Sequence, residues 1–118
     1  MDDMSSVLER LATERQRALR RLAALTHDFD EVVAASRDTN ADDEHDPEGA
    51  TIAFERSQID ALVRRTHRRL AEIDAAVERV EAGTYGACDT CGKPIGDERL
   101  AARPTARVCM VCAASARR

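Results

Sequence analysis

The feature that most constrains this chain is a pair of Cys-x-x-Cys motifs, which together contain all four of its cysteines. The first motif runs from Cys88 to Cys91 and the second from Cys109 to Cys112, with seventeen residues between them. Each motif can form a tight knuckle that presents two sulfurs, and the intervening chain can bring both knuckles to one zinc ion. Two disulfides or four unrelated thiols are the alternatives, and the spacing favours zinc. Because four cysteines would close the coordination sphere, the predicted zinc is structural rather than catalytic.

The composition argues against a broad globular core. The 118 residues include three aromatic side chains and no tryptophan, and 34% of them are charged. Such a composition is typical of long helices that bury a narrow apolar seam. The formal net charge of −4 argues against nonspecific nucleic-acid binding through bulk charge. No segment resembles a signal peptide or a membrane span, and cysteines confined to a metal-type pattern suit a reducing interior, so we expect a cytoplasmic protein.

A heptad pattern of apolar and small residues predicts a first helix from about Ser6 to Ser36. Its start has the form of a capping box, with Ser6 followed by Glu9 three residues later. The positions of the predicted seam alternate in steps of three and four. They are Leu8, Leu11, Arg15, Ala18, Leu22, Leu25, Phe29 and Val32.

The periodicity stops over residues 37–49, where six carboxylates fall within thirteen residues and form an acidic tip. A second helix is predicted over about 47–82, because Asp46 suits the N-cap, Pro47 suits the first helical position and Gly83 suits the stop. Its seam shows the same alternation as that of the first helix. The seam residues are Ile52, Arg56, Ile59, Val63, Thr66, Leu70, Ile73, Val77 and Val80.

The predicted fold is mainly α, with a long antiparallel coiled-coil hairpin over residues 1–83 and a small four-cysteine zinc ribbon over 84–118. Two heptad segments joined by a short polar turn bury their seams most simply by folding back on each other, which favours a monomer. A parallel homodimer would bury the same seams but would give the acidic turn no role. Between the two knuckles we expect short antiparallel strands with Pro104 at their turn or edge, followed by a short terminal helix.

Three features of the sequence could carry function. The ribbon lacks interleaved aromatic residues and a base-reading helix, so a clamp or protein-docking role is favoured over DNA reading. An acidic turn is usually solvated, yet carboxylates at the end of a hairpin could meet a bound Mg²⁺ or basic groups of a partner. His27, His45 and His67 are not at metal-ligand spacing. The sequence shows no catalytic triad, glycine-rich phosphate loop or carboxylate pair, and therefore predicts a protein that is not an enzyme.

The residues around the cysteines resemble those of the DksA/TraR family of bacterial transcription regulators. The matching segments are Tyr85-Gly86-Ala87-Cys88-Asp89-Thr90-Cys91-Gly92-Lys93-Pro94-Ile95-Gly96, Arg99-Leu100-Ala101-Ala102-Arg103-Pro104-Thr105 and Cys109-Met110-Val111-Cys112. The resemblance implies a factor that binds RNA polymerase rather than DNA and inserts its coiled coil into the secondary channel. The acidic tip would then approach the catalytic Mg²⁺ and alter the stability of initiation complexes.

The resemblance also implies roles for particular residues. Longer family members carry Asp-x-x-Asp-x-Ala at the tip, and ungapped placement from the cysteines puts His45, Glu48 and Ala50 there, with Asp46 one step off the first position. Responsive members bind the alarmone ppGpp through a basic cluster that Arg103 and Arg99 match.

Two further positions that are basic in responsive members are Glu72 and Ala113 in this chain, so weak or absent ppGpp dependence is predicted. The alternative to a polymerase-binding factor is a nucleic-acid-binding or adaptor module that dimerises through its coil and binds through Arg99, Arg103 and Arg107. A third interpretation treats the thiols as a redox switch that releases zinc on oxidation.

Overall fold

The structure is a computed structural model that describes residues 4–39 and 47–116, without the side chains of residues 36, 38, 39 and 47–49. This part of the chain forms four helices. They are α1 (Met4–Thr39), α2 (Pro47–Ala82), α3 (Asp97–Ala102) and α4 (Met110–Ala116). Among the described residues there is no β-strand, and a single antiparallel bridge joins Ala87 to Pro94. None of the helices is long and apolar enough to cross a membrane.

Helices α1 and α2 contain 36 residues each and form the predicted antiparallel hairpin. The capping box predicted at Ser6 is wrong, because α1 already includes Met4 and Ser6 lies inside it. Helix α2 begins at Pro47, whose fixed φ and missing N–H suit a first helical turn. It ends at Ala82, before Gly83, whose φ of 75° is unfavourable for residues with a side chain.

The chain divides into two compact units, and the first contains Met1–Gln16 and Ala71–Arg118. Its core consists of buried residues from both long helices and of partly buried residues packed against them. The core residues are Val7, Leu11, Ile73 and Ala76, with Val77, Val80 and Tyr85 packed against them. The seam prediction is wrong at one position here, since Leu8 is 37% exposed whereas Val7 is 3% exposed. Arg15 ends in an exposed ion pair with Asp74, as expected of an arginine at the seam edge.

The second unit, Arg17–Leu70, contains the remaining parts of α1 and α2. Its seam is narrow and includes small and polar residues, with Ala18, Leu25 and Thr66 buried. The buried Thr66 hydroxyl donates a hydrogen bond to the Leu62 carbonyl over 2.8 Å, which avoids the cost of an unsatisfied polar group. The guanidinium of Arg56 on α2 lies 5.6 Å from the centre of the Phe29 ring on α1, a cation–π contact between the two helices.

Truncating Leu11 to alanine is expected to lower the free energy of unfolding by about 2–5 kcal/mol, because the side chain is fully buried and would leave a cavity. Denaturant unfolding of the zinc-loaded protein measures this change. Leu8→Ala is the matched control on the same turn, and its loss is expected to be distinctly smaller because Leu8 is exposed. Equal losses for the two variants would contradict the observed seam.

Candidate metal centre

The first knuckle is built directly onto the end of α2. The N–H groups of Thr84 and Tyr85 donate to the Arg79 carbonyl over 2.9 and 3.1 Å, which satisfies the last turn of the helix. The Tyr85 hydroxyl donates to the Pro104 carbonyl over 2.7 Å and so ties this junction to the later part of the segment. The chain then turns at Gly92, whose φ of 75° suits glycine.

Backbone hydrogen bonds close the first knuckle and join it to the second. The Cys88 N–H donates to the Lys93 carbonyl over 2.9 Å, and the Gly92 N–H donates to the Cys88 carbonyl over 2.9 Å. The Asp89 N–H donates to the Arg107 carbonyl over 2.8 Å, and the Arg107 Nε donates back to the Asp89 carboxylate over 2.9 Å. Two segments that are far apart in sequence, around Asp89 and Arg107, are therefore held side by side next to the cysteines.

The four sulfurs of Cys88, Cys91, Cys109 and Cys112 lie within 4.8 Å of one another. The Cys91 and Cys109 sulfurs are 3.8 Å apart. Sulfurs at the corners of a tetrahedron around zinc, with Zn–S bonds of about 2.3 Å, would be about 3.8 Å apart. A disulfide would need about 2.05 Å, and all four cysteines are free. The donor set and its spacing therefore fit a tetrahedral Zn²⁺, and the two disulfides considered from the sequence are not formed.

The pKa values of three of the thiols are shifted, and not in the same direction. The Cys109 N–H donates to the Cys88 sulfur over 3.3 Å, and this hydrogen bond is the main reason why the pKa of the Cys88 thiol falls to about 6. The pKa of Cys109 is lowered as well, chiefly by the Cys112 N–H. Hydrogen bonding to the Cys109 side chain instead raises the pKa of Cys112 to about 12. A divalent cation would allow all four groups to be thiolates, which is the form that binds zinc.

The segment between the knuckles differs from the prediction of short strands. Asp97–Ala102 form helix α3, which has Asp97 and Glu98 in its first turn. Carboxylates at that position stabilise a helix through its dipole, and Pro104 follows shortly after its end. The acidic pair after Gly96 was therefore the sequence signal for this helix. Helix α4 begins at Met110, directly after a cysteine, and supplies the predicted short terminal helix.

Arginines that the sequence did not single out support the site. Arg10 on α1 donates to the carbonyl of Ala101 over 2.7 Å, and Arg79 on α2 donates to that of Thr105 over 3.4 Å. No short motif identifies these residues, because their partners are backbone carbonyls far away in sequence.

Arg99, predicted as a contact to ppGpp or polymerase, donates from its Nε to the Val108 carbonyl over 2.9 Å, beside the second knuckle. Its Nη1 lies 3.0 Å from the Met110 sulfur. Arg103, the other residue of that prediction, is exposed and lines the same groove as Arg99.

The predicted tip residues lie largely beyond what the structure describes. His45 and Asp46 are outside the described residues. Glu48 belongs to the first turn of α2, but its side chain is not described, and Ala50 is exposed on the same helix. The structure therefore brings together the four cysteines of the predicted site and leaves the arrangement of the tip a prediction.

Comparison with known proteins relates this metal centre to a family. Residues 83–118 match the sequence model of the prokaryotic dksA/traR C4-type zinc finger. A stretch of 84 residues, 65% of the chain, is 38% identical to the RNA polymerase-binding transcription factor DksA of Caulobacter vibrioides. A stretch of 44 residues, 37% of the chain, is 52% identical to an uncharacterized protein of Aquifex aeolicus. The matched stretches span 59% and 30% of the length of these two relatives.

The likeness in structure extends over nearly the whole chain. The solved structure of transcription factor DksA2 from Pseudomonas aeruginosa superposes with a TM-score of 0.57 at 28% sequence identity. The match covers 99% of this chain and 91% of the other. The helical hairpin therefore shares the fold of DksA2 along with the cysteine-bearing segment.

Proposed function

We propose, on the premise that residues 83–118 belong to the prokaryotic dksA/traR C4-type zinc-finger family, that this chain is a transcription regulator that binds bacterial RNA polymerase directly. The observation that carries the proposal is that one chain combines four clustered cysteine sulfurs with a helical hairpin of the DksA2 fold. Relatives named as RNA polymerase-binding factors support the choice of partner. The regulator works as a cytoplasmic monomer and catalyses no reaction of its own.

The hairpin inserts into the secondary channel of the polymerase and brings the acidic tip toward the catalytic Mg²⁺, where it modulates initiation. His45, Asp46, Glu48 and Ala50 act at the tip. This function suits a hairpin in which residues 37–49 carry six carboxylates, because Mg²⁺ and basic groups both attract carboxylates.

One zinc ion, held by the four cysteines, has a structural role. Among the described residues, the cluster supplies four thiolate ligands, which would complete a tetrahedral sphere around the ion and leave no site for a catalytic water. Hydrogen bonds from the N–H of Cys109 to the Cys88 sulfur, and from Arg107 to Asp89, orient the knuckles for this purpose.

The contacts inside the ribbon bear on the alternative of a nucleic-acid-binding or adaptor module. That alternative needs Arg99, Arg103 and Arg107 to face a partner. Arg99 is engaged with the Val108 carbonyl, and Arg107 with the Asp89 carboxylate, so two of the three guanidiniums already have partners within the ribbon. The same occupation of Arg99 agrees with weak or absent ppGpp dependence. The polymerase-binding function is therefore the better supported of the two.

Binding to purified bacterial core RNA polymerase, without DNA, tests the proposed function. We expect the zinc-loaded chain to bind the core enzyme and to be displaced by an established secondary-channel factor, because both would occupy the same channel. Fluorescence anisotropy of the labelled chain measures both effects. An absence of binding, or binding that the competitor leaves unchanged, would refute the insertion of the hairpin and would favour the adaptor alternative.

A further inference from the structure

The second unit carries a concentration of arginine that the proposed function does not use. Residues 17–27 of α1 and 61–71 of α2 contain seven arginines and no carboxylate. Both stretches belong to the long helices of a chain whose formal net charge is −4. Arg20, Arg21, Arg65 and Arg68 are exposed. Basic charge is therefore concentrated in residues 17–27 and 61–71, here called the shaft of the hairpin, and not at the acidic tip.

Six of the seven arginines lie on one side of the hairpin. A groove lined by Asp28, Glu31 and Ala35 of α1 and by Glu55 and Gln58 of α2 shows which positions of the two helices share a side. In a coiled coil, positions seven residues apart along one helix lie on the same side. One heptad from Asp28 leads to Arg21, one heptad from Gln58 leads to Arg65, and two heptads from Glu55 lead to Arg69.

Arg17 lies two heptads from Glu31, which lines the same groove. Arg20 and Arg68 follow Arg17 and Arg65 by three residues, a spacing that makes residues neighbours on a helix surface. The six arginines therefore form one surface, the arginine face. It consists of Arg17, Arg20, Arg21, Arg65, Arg68 and Arg69. The contact between Arg56 and Phe29 sets a register in which Arg20 lies opposite residue 65, so the two groups of three are at the same level. Arg64, the seventh arginine, points to the other side, where it pairs with Asp60 over 3.1 Å.

The dimensions of the arginine face indicate what it can bind. On each helix the face spans four residue steps, from Arg17 to Arg21 and from Arg65 to Arg69. The backbone length of each span is about 6 Å along the helix axis. On the same side, Asp28, Glu31 and Glu55 follow toward the acidic loop. A nucleic-acid backbone that continued along the hairpin would meet these carboxylates and be repelled. A group of carboxylates no longer than the arginine face would meet guanidiniums, whose planar donors suit bidentate pairing with carboxylate.

We propose that the arginine face is a docking surface for a compact, carboxylate-rich patch on RNA polymerase. The proposal rests on the proposed function and adds to it the side of the hairpin that faces the enzyme and the chemistry of the opposing surface. Along this side of the hairpin the charge changes from positive at the arginine face to negative at the residues that follow it. The negative residues are Asp28, Glu31 and Glu55. The register of the hairpin in the channel is thereby fixed by charge, because a shift along the axis would place like charges opposite each other.

Charge reversal at neighbouring residues tests the arginine face. Arg65→Glu changes the face, whereas Arg64→Glu makes the same change of charge one residue away, on the other side of α2. The affinity of each variant for core RNA polymerase is measured at several salt concentrations, and circular dichroism verifies that helix content is kept. We expect Arg65→Glu to bind at least about tenfold more weakly at low salt, with a reduced salt dependence, and Arg64→Glu to stay within about threefold of the wild type.

The outcomes separate the docking surface from the function on which it rests. Wild-type binding with equal affinities for the two variants would overturn the arginine face and leave the polymerase-binding function intact. An absence of wild-type binding would overturn both. Tight binding of the wild type to a 20-nucleotide RNA or DNA duplex, lost in Arg65→Glu, would also overturn the proposal, because the partner of the face would then be a phosphate backbone. Arg21→Gln combined with Arg65→Gln should weaken polymerase binding without any reversal of charge.

Discussion

Replacing Cys112 with serine is expected to abolish zinc binding and to unfold the segment that holds the four sulfurs. The segment has little else to stabilise it, since α3 and α4 contain six and seven residues and such helices are unstable alone. In zinc-finger peptides, structural zinc contributes an apparent binding free energy of about 10–16 kcal/mol. The loss of one of four ligands therefore removes the main source of stability in this part of the chain.

Two measurements follow the change. Zinc content, determined on the purified protein, is expected to fall from one ion per chain to nearly none. Amide signals of residues 84–116 are expected to lose their dispersion in ¹H–¹⁵N spectra, because the backbone bonds between the knuckles would no longer hold. Tyr85, whose hydroxyl binds the Pro104 carbonyl, provides a local probe of the same event.

Val111→Ser is the matched control for this variant. Val111 lies in the same knuckle, next to Cys112, and is 75% exposed, so the substitution introduces the same serine without removing a ligand. It should keep its zinc and its spectrum. If Cys112→Ser also kept an equimolar zinc ion and the dispersed signals, the four-thiolate structural site would be refuted.

The cysteine cluster was predictable because ligand spacing is a local property of the chain. Two Cys-x-x-Cys pairs form knuckles whatever surrounds them, and the structure brings all four sulfurs within 4.8 Å. The hairpin was predictable for a similar reason, since a seam that recurs at steps of three and four over some thirty residues leaves few ways to bury itself. The long heptad pattern and the short ligand motifs were therefore sufficient to predict the fold class.

Errors arose where a few residues decide the structure. Six residues are too few to show a helical period, so the pattern between the knuckles predicts strands, although Asp97 and Glu98 mark the start of helix α3. At the start of α1, the heptad rule placed Leu8 in the seam. Val7 is buried there instead, because the core of the first unit includes Tyr85, a residue from beyond the hairpin. Contacts of this kind depend on the tertiary arrangement and leave no mark in the local sequence.

The arginines that support the metal centre could not be predicted from the sequence either. Arg10 and Arg79 donate to backbone carbonyls of the ribbon, and any residue could supply such carbonyls. The arginine face was predictable in part. The heptad assignment places the arginines at outer positions of each helix, but only the register and the groove of the structure show that the two groups share one side of the hairpin.

Removing the two carboxylates of the tip while keeping its shape is expected to abolish the effect on transcription and to leave polymerase binding intact. The variant carries Asp46→Asn together with Glu48→Gln, which replaces each negative charge by a neutral amide of similar size. If the tip acts on the catalytic Mg²⁺ region, its charge is needed there, because neutral amides are much weaker partners for a divalent cation. Binding along the shaft should be unaffected, since the arginine face lies elsewhere on the hairpin.

The matched control for the tip is Asp42→Asn with Asp43→Asn, which removes the same charge from the same acidic loop. Promoter-complex lifetime and transcript yield, measured with purified polymerase, report the regulatory effect, and anisotropy reports affinity. We expect the first variant to lose the effect on lifetime and yield while its affinity stays within about threefold, the range in which exposed charges usually act. The control should keep both properties. A first variant that loses binding together with regulation would show that these carboxylates serve attachment, and a control that loses regulation equally would show that the loop acts only through its total charge.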